Sequence, residues 1–218
     1  MTKPKGKHKS GGRALVICNG DVLPRKELLP LVWTTSLIVC ADGGANKARK
    51  LGITPDLIIG DLDSITPSTR KFYSTVKTIR VTSQENTDLE KALDVLVGKG
   101  IRSAVIVGAM GGRPDHAYAN FSIFKKYYKL LDLVFSDALC DIRIIEGKNI
   151  LDLPVGSILS LMPFGRCDGI TARGLEFPLV NDSLEMGVRE GASNRVCASP
   201  VSIEIKKGCL LLFLVKHL

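Results

Sequence analysis

Six short apolar runs, separated by stretches of helical spacing and followed by a change of rhythm near residue 137, constrain the fold of this chain more than any other feature. The runs are ALVIC, SLIVCA, DLIIG, KTIRV, SAVIVG and LDLVFS. Continuous apolar character, as opposed to alternation, is what a strand needs when both of its faces are covered, as in a parallel sheet. Between the runs stand PRKELLPLVW, ANKARKLG, PSTRKFYS, TDLEKALDVLVGKG and PDHAYANFSIFKKYYKL. Their apolar residues recur near helical spacing, and several open on a proline or a capping residue. Strand and helix in alternation predict an open, doubly wound, mainly parallel α/β sheet.

After about Asp137 the segments become CDIRIIEG, KNILDL, SILSLMPF, DGITARG, VSIEIKKG and CLLLFLVK, with turn residues between them and no long helical pattern. This predicts a C-terminal all-β sandwich. The expected organisation is a basic, disordered tail over 1–13, an α/β domain over 14–137 and a β domain over 138–218. At 218 residues the chain can bury a sizeable core in this way. No apolar run approaches the roughly 20 residues that span a bilayer, so no membrane association is expected. The six cysteines show no CxxC pairing and lie mostly in apolar runs, which suits reduced thiols and a cytoplasmic location. Much of the net charge of +8 sits in the tail, at Lys3, Lys5, Lys7, Lys9 and Arg13. The interleaved aromatics of an RNA platform are missing, and no specific nucleic acid is expected.

In open α/β sheets ligands bind beyond the carboxyl ends of the strands. There the chain gathers glycines and carboxylates. CADGGAN follows the second run, GDLDS the third, QENTD the fourth and GAMGGRPDH the fifth. The glycines free backbone amides to face an anion at the start of the next helix. Asp61 and Asp63 stand two apart; in an extended segment their side chains point to the same side and can converge on one cation. Oxygen ligands without His or Cys favour Mg2+ over zinc. The plainer alternative is that Asp63 caps the turn DSITP and Asp61 is solvated. Asp88 fits both a capping box in TDLE and a role in chemistry. Arg113 suits phosphate oxygens, and Asp115 a metal or a nucleotide hydroxyl. His116 reads more readily as a packing or capping residue than as a base. Neither a P-loop nor a nucleophile elbow is present.

Taken together, CADGGAN, GDLDS, QENTDLEKAL, GAMGGRPDHAYAN, SLMPF, GLEFPL and GASN resemble thiamine pyrophosphokinases, from about Ala14 to the C-terminus. The resemblance implies transfer of the pyrophosphoryl group of ATP to the hydroxyl of thiamine, with Mg2+, in a homodimer whose active sites lie at the interface. It implies catalytic roles for Asp61, Asp63, Asp88 and Arg113, with Asp61, Asp63, Asp88 and Asp115 on metal. ATP would meet Asp42, Gly43, Gly44, Asn46, Gly111, Gly112, Arg113 and Asp115. Thiamine would meet Gln84 and Asp88 in the α/β domain, and Ser193 and Asn194 in the β domain, which the resemblance makes the thiamine-binding and dimerisation domain. The chain departs from the family pattern at Asn86, where many bacterial relatives are acidic, and at Arg195, where Glu is frequent. Phe213 is a weak counterpart of a C-terminal aromatic found in some relatives. A Mg2+-dependent phosphohydrolase and a nucleotide-sensing or nucleic-acid module are the competing readings. Five carboxylates around one crevice argue against a polyanion there unless metals intervene.

Overall fold

The computed structural model describes residues 12–83 and 85–216, so residues 1–11 of the expected tail, and Gln84, lie outside the described residues. The chain divides into two units, the second beginning at Leu139.

The first unit alternates strand and helix throughout: β1 (Arg13–Ile17), α1 (Arg25–Thr34), β2 (Leu37–Ala41), α2 (Gly44–Lys50), β3 (Leu57–Gly60), α3 (Pro67–Phe72), β4 (Lys77–Arg80), α4 (Asp88–Gly98), β5 (Ser103–Val107), α5 (Pro114–Tyr127) and β6 (Asp132–Ser136). Its strands pair in parallel in the order 6-5-1-2-3-4. The order therefore reverses between β1 and β5, which makes the sheet doubly wound. The apolar runs are buried as expected in β1, β2, β3, β5 and β6, but not in β4, whose residues are mostly exposed at the sheet edge. Its alternating KTIR sequence has too few apolar residues for a covered strand.

Local chemistry sets where the helices start. Thr66 caps α3 by accepting the Thr69 N–H, with Pro67 in the first turn. Thr87 and Glu90 form a reciprocal capping box at the start of α4. Leu15, Ile17, Leu28, Ile38, Ile58 and Val105 lie in one core that joins the helices to the sheet.

The second unit is a β-sandwich of β7 (Cys140–Leu151), β8 (Ile158–Pro163), β9 (Arg166–Arg173), β10 (Leu179–Glu185), β11 (Gly191–Arg195) and β12 (Val201–Val215). β12 pairs with β9 through its first half and with β8 through its second, and with β7 along most of its length. β9 extends to β10 and β8 to β11, all antiparallel. Four of the segments read separately in the sequence form only two long strands. CDIRIIEG continues into KNIL, and VSIEIKKG continues into CLLLFLV past a register shift between Ile205 and Leu210. The glycines that look like turns, Gly147 and Gly208, take positive φ within strands. β10 and β11 carry little apolar signal because several of their residues are exposed. Ile145, Leu159, Leu161, Ile170, Ile203 and Leu212 contribute to the core between the strands.

Candidate active site

Loops at the carboxyl ends of β1, β2, β3 and β5, with the opening turn of α4, enclose a crevice of about 710 Å3. Asn19 and Gly20 line it after β1, Asp42 and Gly43 after β2, Asp61 and Ser64 after β3, and Gly111, Gly112, Arg113 and Asp115 after β5. Asp88 and Lys91 enter from α4. The position is the point of strand-order reversal, where diverging connections leave room for a ligand.

Asp42, Asp61 and Asp88 each bring one carboxylate oxygen to within 4.8 Å of the other two. Asp42 is the most buried, at 4% exposure. Its Oδ2 accepts the Ser64 N–H at 3.3 Å, whereas its Oδ1 is buried without a hydrogen-bond partner. Burial pushes the Asp42 carboxyl up from its ordinary range, hydrogen bonds from Ser64 and Gly43 pull it down, and the charges of Asp88 and Asp61 push it up again. Its backbone also takes φ 39°, in the left-handed region, at a cost on the order of 1 kcal/mol. A buried, unpartnered carboxylate oxygen beside two more carboxylates is costly in water-poor surroundings and is satisfied by a hard cation. The donor set therefore fits a magnesium-type ion.

Asp63 does not join Asp61 as the strand argument expected. Leu62 has φ 73°, so the segment is not extended and alternate side chains do not share a side. The Asp63 N–H instead donates to Asp61 Oδ1 at 3.1 Å, and the exposed Asp63 carboxylate accepts the Ser64 hydroxyl at 3.0 Å. Asp42, from the neighbouring strand, completes the trio in its place.

Asn46 is absent from the crevice lining. Its side chain donates to Ser64 O at 2.8 Å and accepts the Thr66 N–H at 3.1 Å, tying α2 to the loop after β3. Gly44 has a packing role, since a methyl group there would fall 1.9 Å from Ile17 O. Gly111 and Gly112 take φ of 80° and 76°, which a side chain disfavours, and open the backbone before α5. Arg113 pairs through two nitrogens with Asp115, one contact being 3.1 Å. Hydrogen bonding to Arg113 holds the Asp115 carboxyl down, at about 2.

In the second unit, Ser193 takes φ 53° and its N–H donates to Ser160 Oγ at 2.9 Å. Asn194 is buried, with its amide bridging the Phe177 backbone: Phe177 N–H to Oδ1 at 3.1 Å and Nδ2 to Phe177 O at 2.7 Å. Arg195 lies 3.7 Å from Glu176 and donates to Gly156 O at 3.3 Å.

Two features went unread in the sequence. NGD follows ALVIC just as DGG follows SLIVCA, a parallel that points to Asn19 and Gly20. Lys91 is buried at 6% exposure and bonded to Asp88 Oδ1 at 3.0 Å; spacing three residues apart on a helix allows the pair but gives no sign of the burial. Cys18 also lines the crevice, but burial pushes its thiol up to about 12, unfit for a nucleophile.

The family model described as thiamin pyrophosphokinase, catalytic domain, matches residues 29–134, and that of its vitamin B1 binding domain matches residues 143–210. Thiamine pyrophosphokinase 2 of Oryza sativa subsp. japonica is 31% identical over 223 residues, covering 88% of this chain and 82% of the relative. Thiamine pyrophosphokinase of Bacillus subtilis is 27% identical over 192 residues, covering 81% of this chain and 86% of the relative. Among solved structures, thiamin pyrophosphokinase from Candida albicans superposes with a TM-score of 0.85 at 20% identity, over 95% of this chain and 90% of that one. At that identity the superposition speaks for the fold.

Proposed function

The chain belongs to the thiamine pyrophosphokinase family, and from that premise we propose that its crevice transfers the pyrophosphoryl group of ATP to thiamine. The products are thiamine diphosphate and AMP. The observation that carries the reading at this site is Asp42, whose buried Oδ1 has no hydrogen-bond partner and whose carboxylate gathers with those of Asp61 and Asp88.

We assign Asp42, Asp61 and Asp88 as the residues that hold Mg2+. Asp63 and Asp115, both exposed, are proposed as further ligands engaged when the nucleotide is present. Mg2+ bound there would supply positive charge to the phosphate oxygens on which negative charge develops. The chain does the rest. Backbone amides of the Gly43–Gly44 and Gly111–Gly112 turns face the polyphosphate. Arg113 exchanges Asp115 for phosphate oxygens and offsets their charge electrostatically. Asp88 orients the thiamine hydroxyl. The hydroxyl oxygen gives up its proton to solvent and bonds to the β-phosphorus while the bond from that phosphorus to the α,β-bridging oxygen breaks, and AMP leaves with the electron pair.

Asn46 and Asn194 are proposed to act by positioning, because their side-chain amides are engaged with backbone. Ser193 offers an exposed hydroxyl and is the proposed thiamine contact of the second unit. Gln84 retains its proposed place beside thiamine on the family resemblance alone. Large apolar side chains exposed in the second unit, among them Ile150, Val180 and Val188, suit burial against a second copy, and a homodimer is proposed on that ground. Among the described residues no helix is long and apolar enough to cross a membrane. A cytoplasmic location is proposed from the cysteines, which are mostly buried and lack the CxxC spacing of a redox or metal motif.

The test is a product assay with ATP, Mg2+ and thiamine that resolves AMP, ADP and the thiamine phosphates. Equal amounts of AMP and thiamine diphosphate are expected. Phosphate release that is indifferent to thiamine would instead identify a hydrolase.

A further inference from the structure

Lys91 sits where a lysine is costly. It is 6% exposed, in the opening turn of α4, where the helix dipole opposes a cation. The capping box fixes that turn: Glu90 N–H donates to Thr87 Oγ1 at 3.2 Å, and Thr87 N–H to Glu90 Oε2 at 3.0 Å. Asp88 and Lys91 are thereby held on one helix face, with Nζ 3.0 Å from Asp88 Oδ1. Asp88 belongs to the trio with Asp61 and Asp42, the residue whose buried Oδ1 has no hydrogen-bond partner. Three carboxylates this close repel one another strongly wherever water is scarce. A buried ammonium 3.0 Å from one of them relieves that repulsion.

Resting on the reading of the trio as a cation site, we propose that Lys91 is its resident counter-charge, a positioning residue that fixes Asp88 and weakens the hold of the site on a free divalent cation. Its fixed charge repels an ion entering beside Asp88, so firm binding requires the additional negative charge of a polyphosphate. This accords with the general behaviour of Mg2+ sites in which one or two carboxylates share the ion with substrate phosphates.

The experiment measures Mn2+ binding to the full chain without nucleotide, by calorimetry or by the electron paramagnetic resonance of free Mn2+. Lys91→Met removes the charge and keeps most of the stem; Lys91→Arg keeps the charge. The Kd for Mn2+ is expected to fall about tenfold or more in Lys91→Met and to stay within about threefold of wild type in Lys91→Arg. A residue that merely packed would leave Kd unchanged, and one that merely held Asp88 in place would raise it; either result with a folded Lys91→Met overturns the proposal. If wild type and Lys91→Met both fail to bind Mn2+, the cation site falls and the proposal with it. That outcome differs from equal, measurable binding by both, which overturns the proposal alone. If Lys91→Met is unfolded in metal-free buffer, recovery of the fold in millimolar Mn2+ supports the counter-charge role, and an unfolded protein at saturating Mn2+ overturns it. Thiamine turnover enters none of these outcomes.

Discussion

A methyl group at Gly60 would stand 2.8 Å from the Asp42 Cβ and 3.1 Å from Asp88 Oδ1, so the end of β3 must be bare for two members of the acidic trio to meet. Gly60 also has φ 153°, where a side chain is strained. Gly60→Ala is therefore expected to lose about 2 kcal/mol of stability. Turnover is expected to fall by about tenfold or more, since a small displacement of catalytic groups has a large effect on rate. Urea unfolding and steady-state kinetics on the same preparation check both.

Asp61→Asn is expected to reduce turnover by about two orders of magnitude, or roughly 3 kcal/mol of transition-state stabilisation, with the fold retained. Asp42→Asn should lose activity similarly but melt no lower than wild type in metal-free buffer, because it removes a buried charge with an unpartnered oxygen. The pH dependence separates the two roles. Burial and then the charges of Asp88 and Asp61 raise the Asp42 carboxyl, so the folded state takes up this proton at a higher pH than the unfolded chain does. Between that raised value and the ordinary 3.8, the Asp42 contribution to metal-free stability increases as pH falls. Melting temperature followed against pH in chelator should show this contribution in wild type and not in Asp42→Asn.

Glu90 links the capping box to α5 through Lys126 Nζ, 3.0 Å from Oε1. Partial burial pushes its carboxyl up, but the Thr87 N–H and Lys126 outweigh it and the net shift is downward. The resulting stability is full above about 4.5 and is lost as pH falls through the lowered folded-state value. Glu90→Ala is expected to cost about 1 kcal/mol at pH 7. Glu90→Gln, which still caps, should cost less, and its deficit should fade in acid. Denaturant titrations at pH 7 and below pH 4 distinguish the two.

The α/β alternation was legible because burial on both faces leaves apolar runs that survive in one dimension, and ALVIC and SAVIVG are such runs. β4 was legible only as a segment, since an edge strand needs no apolar face. β10 and β11 were missed for the same reason: LVNDSLE and GASNR have exposed positions that disguise a strand. The trio was half legible. Asp61 and Asp88 stand at strand and helix ends, where a sequence can be searched, but the substitution of Asp42 for Asp63 depends on the backbone turning left-handed at Leu62. No residue type there announces it, because leucine rarely takes that conformation. Lys91 was overlooked because a lysine three residues after an aspartate usually marks a solvated helix face, and only burial reveals the difference.

Most kinases transfer the γ-phosphoryl group and release ADP, whereas the reaction proposed for this chain breaks the α,β bridge and releases AMP. An α,β-methylene analogue of ATP replaces that bridging oxygen by carbon, a leaving atom far too poor to depart, while keeping the charge and length of the polyphosphate. It should bind in the crevice, protect the fold against heat and inhibit turnover competitively with ATP. A β,γ-methylene analogue leaves the reacting bridge intact, so transfer should proceed, at a reduced rate, and give AMP with a methylene-bridged thiamine diphosphate. Mass spectrometry of the products decides between the two bonds. If ATP yields ADP and thiamine monophosphate, and the β,γ-methylene analogue is the inert one, the attack is on the γ-phosphorus and the proposed transfer is wrong even though thiamine is the acceptor.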